Sequence, residues 1–360
     1  MSESKRLIVL TGSYAEAENE GIYAYELNED TGSLAKLDGI SGVKNPTFVN
    51  VDAEGNKLYA IGEATSAEGN KMSEAVALSI DPATGKLSLL NRKNSISAPP
   101  CHIQRDPSGR YLILSSYHGG LVGLQAVTDN GEIGELLDEK KHEGQGAHPE
   151  RQDKPHVHSA FFSPDGKYMM VQDLGADKIA IYSIDADKNE LVLHSETKTH
   201  AGAGPRHLAF HPNGQFAYVI NEVDSSITSF RYDAAAGTLT EVSTVSTLPD
   251  GYDGKENTTA EITVSNDGRF VYGSNRGHDS IVVYAVDADA GHLKLVEHVS
   301  AEGEHPRHFA LTPNGKLLIA ANRDTNNIVT FTVDQESGRL KYTGHSTGVS
   351  KPVCVKPIYL

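Results

Sequence analysis

Residues Gly204 to Glu222 read GPRHLAFHPNGQFAYVINE, a run in which the tight turn HPNG, ending at Gly214, separates two apolar segments. Glycine at the end of such a turn supplies a positive φ, and a preceding Pro or Asp presets or hydrogen-bonds the bend. The stretch is therefore a β-hairpin. Working outward, the same turn recurs as DAEG at Gly55, DPSG at Gly109, SPDG at Gly166, SNDG at Gly268 and TPNG at Gly315. The intervals are 54, 57, 48, 54 and 47 residues. An apolar strand follows each turn, as in Lys57 to Ile61, Arg110 to Leu114, Phe216 to Ile220 and Phe270 to Tyr272. A further strand comes next, for example Ile179 to Tyr182 or Ile281 to Tyr284.

A second turn marker, Gly-x-Leu or a close variant, closes most units: Gly32 to Leu34, Gly85 to Leu87, Gly131 to Ile133, Gly237 to Leu239, Gly291 to Leu293 and Gly338 to Leu340. Leu191 after Asp185 is a degenerate copy, which brings the count to seven. Two hairpin turns per unit of about 50 residues indicate four-stranded blades repeated around a ring. The expected fold is all-β, a seven-bladed propeller formed as a single domain over residues 1–360. Pro352 to Val355 resembles an inner strand, while Leu7 to Thr11 and Ile22 to Leu27 resemble later ones. Pairing them would close the ring with a mixed blade and no exposed edge. Glu135 to His142 is the one modest helix candidate. With no Trp in the chain, the tryptophan-aspartate type of repeat is excluded.

The composition is that of a globular protein, 38% hydrophobic and 22% charged, without an apolar run long enough to span a bilayer. Met1 to Thr11 contains only the short apolar stretch Leu7 to Leu10, too little for an export signal. Cys101 and Cys354 stand far apart without metal-ligand spacing, which fits a reducing, cytoplasmic setting and neither a disulfide framework nor a structural metal. A net charge of −16 argues against nucleic acid and acidic membrane surfaces as partners. A small anion remains compatible with it, provided arginines converge in one cleft.

Inner strands of propeller blades line the channel, and here the segments before the turns are rich in His and Arg. They are Pro100-Cys-His102, Pro155-His-Val-His158, Gly204-Pro-Arg-His207 and His305-Pro-Arg-His308. The following strand ends add Tyr117-His118, Asp173, Asn221-Glu222, Asn275-Arg276 and Asn322-Arg323. Some of these histidines serve architecture as readily as chemistry, since a repeated imidazole can bond a neighbouring blade. Arg206, Glu222 and Arg276 break the apolar alternation, and buried charge needs a partner or a ligand. The HVH spacing offers two metal ligands, with Glu222 or Asp173 as a third, but no tight cluster supports this and no metal or cofactor is expected. A serine-hydrolase elbow, a phosphate-binding loop and a dinucleotide fingerprint are all absent.

Four strings in this order, PHVHSAFFSPDGKY from Pro155, GPRHLAFHPNG from Gly204, SNDGRFVYGSNRGHDSI from Ser265 and HPRHFALTPNG from His305, resemble the lactonase family of seven-bladed propellers. That family includes bacterial 6-phosphogluconolactonases and the fungal carboxymuconate lactonizing enzyme. The resemblance spans nearly the whole chain. It implies an active constellation of one His, two Arg and one Glu at a channel mouth, matching His158, Arg206, Arg276 and Glu222 here.

The resemblance also implies hydrolysis of a small anionic sugar lactone, 6-phospho-D-glucono-1,5-lactone of the pentose phosphate pathway. Opening the ring needs a base for water and a cation for the carbonyl oxygen. His158, with an ordinary imidazole pKa, is expected as the base, with Glu222 orienting it or replacing it. Arg206 and Arg276 are expected to hold the oxyanion or the substrate's phosphate, and His102, His156, His118, Asn275 and Arg307 to contact substrate. The alternatives are cycloisomerisation of a carboxylated muconate and a non-catalytic binding platform. The platform reading is disfavoured by the polar loops Glu63 to Ser73 and Glu139 to Lys154.

Overall fold

A computed structural model describes residues 5–65, 69 and 71–360. Parts of two stretches read above, Met1 to Ser4 and four positions between Glu63 and Ser73, lie outside the described residues. The turn glycines Gly109, Gly166, Gly214, Gly268 and Gly315 all sit at φ between 70° and 77°. That is the left-handed region where a side chain is costly, so the turns close as hairpins. At the first turn Gly55 does not take this conformation; Asn56, at φ 52°, takes it instead. Asn189, at φ 55°, does the same in the degenerate closing turn before Leu191. Asn tolerates the left-handed region better than most residues, so the turn survives there without a glycine.

The hairpins assemble into seven antiparallel four-stranded sheets. The first contains β1 (Leu7–Ser13), β2 (Ile22–Leu27) and β3 (Leu34–Ile40), and the second β4 (Val49–Asp52), β5 (Lys57–Thr65), β6 (Lys71–Ile80) and β7 (Leu87–Asn94). The third is β8 (His102–Arg105), β9 (Tyr111–Ser116), β10 (Leu121–Val127) and β11 (Ile133–Lys141). The fourth is β12 (Val157–Phe162), β13 (Met169–Asp173), β14 (Lys178–Asp185) and β15 (Glu190–Lys198), and the fifth β16 (Pro205–Phe210), β17 (Phe216–Asn221), β18 (Ser226–Asp233) and β19 (Thr238–Ser246). The sixth is β20 (Thr258–Val264), β21 (Phe270–Arg276), β22 (Ser280–Val286) and β23 (Leu293–Ser300). The seventh is β24 (Pro306–Leu311), β25 (Leu317–Asn322), β26 (Asn327–Val333) and β27 (Leu340–Gly348).

The last strand, β28 (Pro352–Tyr359), completes the first sheet in the order β28-β1-β2-β3. Leu7 faces Tyr359 and Gly12 faces Cys354, so the ring closes through the mixed blade expected from the sequence. Around the ring each inner strand packs on the next, and β28 packs on both β24 and β4. The molecule is a seven-bladed β-propeller.

The helix expected over Glu135 to His142 is not formed: residues 133–141 are the outer strand β11, paired with β10. Its Glu, Leu and Lys content favours helix only weakly, and pairing in the blade overrides that preference. Among the described residues the one helical element is a short 3-10 turn, Leu174–Ala176.

Between blades lies the core. Tyr59, Tyr218 and Tyr272 each stand four residues after a turn glycine and are fully buried. The Tyr59 and Tyr272 hydroxyls donate across to the carbonyls of Gly131 (3.1 Å) and Gly338 (3.0 Å) in closing turns of the following blades. Tyr59 and Tyr272 therefore join apolar packing to a specific inter-blade bond. The result is a rigid ring that fixes where the inner strands end.

Candidate active site

Those inner-strand ends carry bulges. Pairing shifts register between Val157 and Ser159, between Pro205 and His207, and between Pro306 and His308. The residues left outside the ladder are His158, Arg206 and Arg307. A bulge re-aims the unpaired side chain, here toward one mouth of the channel. All three stand eight residues before a turn glycine, as do Thr47 and Cys101. Eight residues after a turn glycine stand Glu63, Tyr117, Glu222 and Arg276. Seven of these residues, namely Thr47, Glu63, Cys101, Tyr117, His158, Glu222 and Arg307, line a cleft of about 280 Å³ together with Tyr14 and His118.

Glu222 is the hub of the mouth. Its backbone N–H donates to Gly204 O at 2.7 Å, which fixes it beside the start of β16. Oε2 accepts from Arg206 Nε at 2.9 Å and pairs with Arg276 Nη2 at 2.8 Å, while Oε1 accepts from Arg151 Nη2. Burial alone would raise the Glu222 pKa, but Arg276, Arg206 and Arg151 outweigh it and hold the carboxyl far below the usual range. It is a firmly ionised carboxylate and a weak base. Arg206 also donates to Ala260 O at 2.6 Å, and Arg276 donates to Thr259 O. Burial, then repulsion from Arg276 and Arg307, lowers Arg206 to about 9, so it stays charged at neutral pH.

His158 is buried, and its Nδ1 has no hydrogen-bond partner among the described residues. Burial first, then the Arg206, His207 and Arg307 neighbours, drive its pKa well below the ordinary value. The expectation of an unperturbed imidazole is therefore corrected: His158 is neutral throughout the physiological range because it is buried among cations.

The structure thus brings His158, Arg206, Glu222 and Arg276, from three consecutive blades, to one mouth. Arg307 and His118 also line the cleft. His156 does not. It stacks on Tyr117 at 4.2 Å, and its Nδ1 lies 2.9 Å from Tyr117 O, so it braces that ring from outside. Asn275 ties its blade to the one before it, donating to Thr247 O at 2.8 Å and accepting from Thr247 Oγ1 at 2.7 Å, away from the cleft lining. Of the third metal ligands considered, Glu222 serves the arginines, and Asp173 meets His142 Nδ1 at 2.8 Å and accepts from the His156 backbone N–H.

His102 belongs one layer deeper. It stands seven residues before its turn glycine, as do Phe48, His207, Glu261 and His308, and side chains from these five blades meet in the channel. His207 Nδ1 contacts Glu261 at 3.1 Å and His308 Nε2 contacts it at 3.0 Å. His102 lies 4.4 Å from Phe48 and 5.5 Å from His207, centroid to centroid, with neither ring nitrogen partnered among the described residues. One step of register therefore separates His102 from the mouth where His158 stands.

Arg151 is the site residue that sequence reasoning missed. It sits between β11 and β12, outside the repeat, so no offset from a turn glycine points to it. Its side chain is 31% exposed, against 3% for Arg206 and 5% for Arg276. Four guanidiniums against Glu222 and Glu63 leave the mouth cationic in an acidic protein. Such a cleft gathers small anions.

Comparison with known proteins bears on this geometry. Residues 8–357 match the family described as lactonase, 7-bladed beta-propeller. The 6-phosphogluconolactonase of Bacillus subtilis is 37% identical over 309 residues, 86% of each chain. The solved periplasmic gluconolactonase of Pseudomonas aeruginosa superposes with a TM-score of 0.90 at 30% identity, covering 98% of this chain and 99% of that one. A Bacteroides fragilis protein put forward as a 6-phosphogluconolactonase superposes with a TM-score of 0.89 at 34% identity, covering 99% of both.

Proposed function

The chain belongs to the lactonase family of seven-bladed β-propellers, and we propose that it hydrolyses 6-phospho-D-glucono-1,5-lactone to 6-phosphogluconate at the cleft beside Glu222. One observation carries this reading: a neutral imidazole with an unpartnered nitrogen, close to Arg206 and Arg307, lines a cleft sized for a small metabolite. Water adds to the lactone carbonyl carbon, and its proton passes to a nitrogen of His158. Negative charge grows on the carbonyl oxygen within the positive field of the mouth. The tetrahedral intermediate then breaks the bond to the ring oxygen, which takes a proton and leaves as the sugar's own hydroxyl.

The cations that depress His158 are offset when an anionic substrate arrives, so the imidazole becomes a better base in the complex than alone. Glu222 keeps Arg206 and Arg276 in place. The free thiols of Cys101 and Cys354 support a reducing, cytoplasmic setting for this activity.

The test is lactone loss at constant pH, followed by base uptake and corrected for the spontaneous rate. Replacing His158 by Ala should lower the catalysed rate by about 10²–10⁴. Equal rates for wild type and variant would overturn its role as base, and a wild-type rate no faster than the spontaneous one would overturn the hydrolase reading itself.

A further inference from the structure

We propose that Arg151 and Arg307 form the phosphate subsite of this cleft, whereas Arg206 and Arg276 hold Glu222 and do not grip substrate. The identity of the ligand as a phosphorylated aldonolactone rests on the hydrolase reading; the division of labour among the arginines rests on geometry. Arg206 spends Nε on Glu222 and Nη1 on Ala260 O, and Arg276 spends Nη2 on Glu222 and Thr259 O. Both side chains are almost wholly buried, whereas Arg151, which like them lies behind the lining residues, meets Glu222 and Tyr117 of that lining from the solvent side. Guanidiniums anchored to backbone carbonyls on their own and the next blade cannot swing to a ligand without stranding those groups.

The other two are placed differently. Arg307 lines the cleft, lies 5.8 Å from the Tyr14 ring centroid, and among the described residues forms no ion pair. Arg151 reaches Glu222 Oε1 from the exposed connection before β12, with nearly a third of its side chain in solvent. Forked donors of this kind bind phosphate through paired N–H bonds, which a lysine does not reproduce.

A phosphate that draws Arg151 away frees Oε1 and removes one of the three cations pinning the carboxylate. Glu222 then keeps its pairs with Arg206 and Arg276 alone.

The probes are the open-chain product 6-phosphogluconate and its unphosphorylated counterpart gluconate, titrated calorimetrically into wild type, Arg151→Ala, Arg151→Lys and Arg307→Ala, each checked by thermal melting. Wild type should prefer 6-phosphogluconate by at least 100-fold. Each alanine variant should lose at least tenfold of that preference, and Arg151→Lys should fall between. A preference within twofold of wild type in either alanine variant overturns the paired subsite, as does a wild type without preference. If the preference behaves as expected but wild type does not accelerate lactone loss, the subsite stands and the hydrolase reading fails.

Discussion

The imidazoles of His102, His158, His207 and His308 lie in the channel with 4% exposure or less. Burial is the first cause that lowers each pKa, and Arg206 and Lys356 add to it for three of the four. Glu261 opposes it at His308 but does not prevail. In the unfolded chain these groups take up protons near pH 6.5, while in the folded chain they stay neutral. The unfolded state therefore binds more protons below that pH, and stability falls as pH drops from 6.5, at up to about 1.4 kcal/mol per pH unit for each imidazole. Glu222, whose folded pKa is depressed, contributes stability that is present above about 4.5 and lost only below it, so the window from pH 6.5 to 5 belongs to the histidines. Urea unfolding across that window should show the decline, with a shallower slope in His102→Leu. An unchanged slope would show that His102 is protonated in the fold. None of this was legible beforehand: His158 was readable as a site residue from its motif, but its charge state depends on guanidiniums from other blades.

At the scale of one element, the start of β16 positions half of the constellation. Gly204 sits at φ 68°, and a Cβ there would meet Val223 Cγ2 at 2.4 Å. Its N–H donates to Asp177 Oδ1 at 2.9 Å, and its carbonyl accepts the Glu222 N–H. Gly204→Ala should cost about 1–2 kcal/mol from the left-handed backbone alone, with further loss from the clash. It should also lower kcat more than it raises KM, because Arg206 and Glu222 move together. A variant as stable and active as wild type in urea melts and lactone assays would remove Gly204 from this role. The turn ladder made the blades readable, since each hairpin signal is local and recurs at least six times. Arg151 was unreadable for the opposite reason: its place depends on a connection between blades, anchored by Gln152 to Leu174 O and Asp177. The outer strand β11 was misread because its Glu, Leu and Lys content says little about pairing in a blade.

At the scale of the whole molecule, closure depends on β28, whose Val353, Cys354 and Val355 are buried between β24 and β4. Ending the chain after Lys351 removes an inner strand and leaves β1 with an open edge. Such an edge invites pairing with other chains. The truncated protein should elute as aggregate in size-exclusion chromatography and lose its cooperative melt; a monomer melting like wild type would show that the seam is dispensable. The seam also brings Arg6 and Leu360 together, each donating its N–H to the other's carbonyl at 2.9 and 3.0 Å. In a ring of equivalent blades that junction is a cut whose position is arbitrary. A short tether from Leu360 to Arg6, with a new opening at an exposed hairpin such as Asn130, makes a circular permutant that keeps every strand pair. The difference in unfolding free energy between the two chains isolates what a non-covalent clasp contributes to a closed ring.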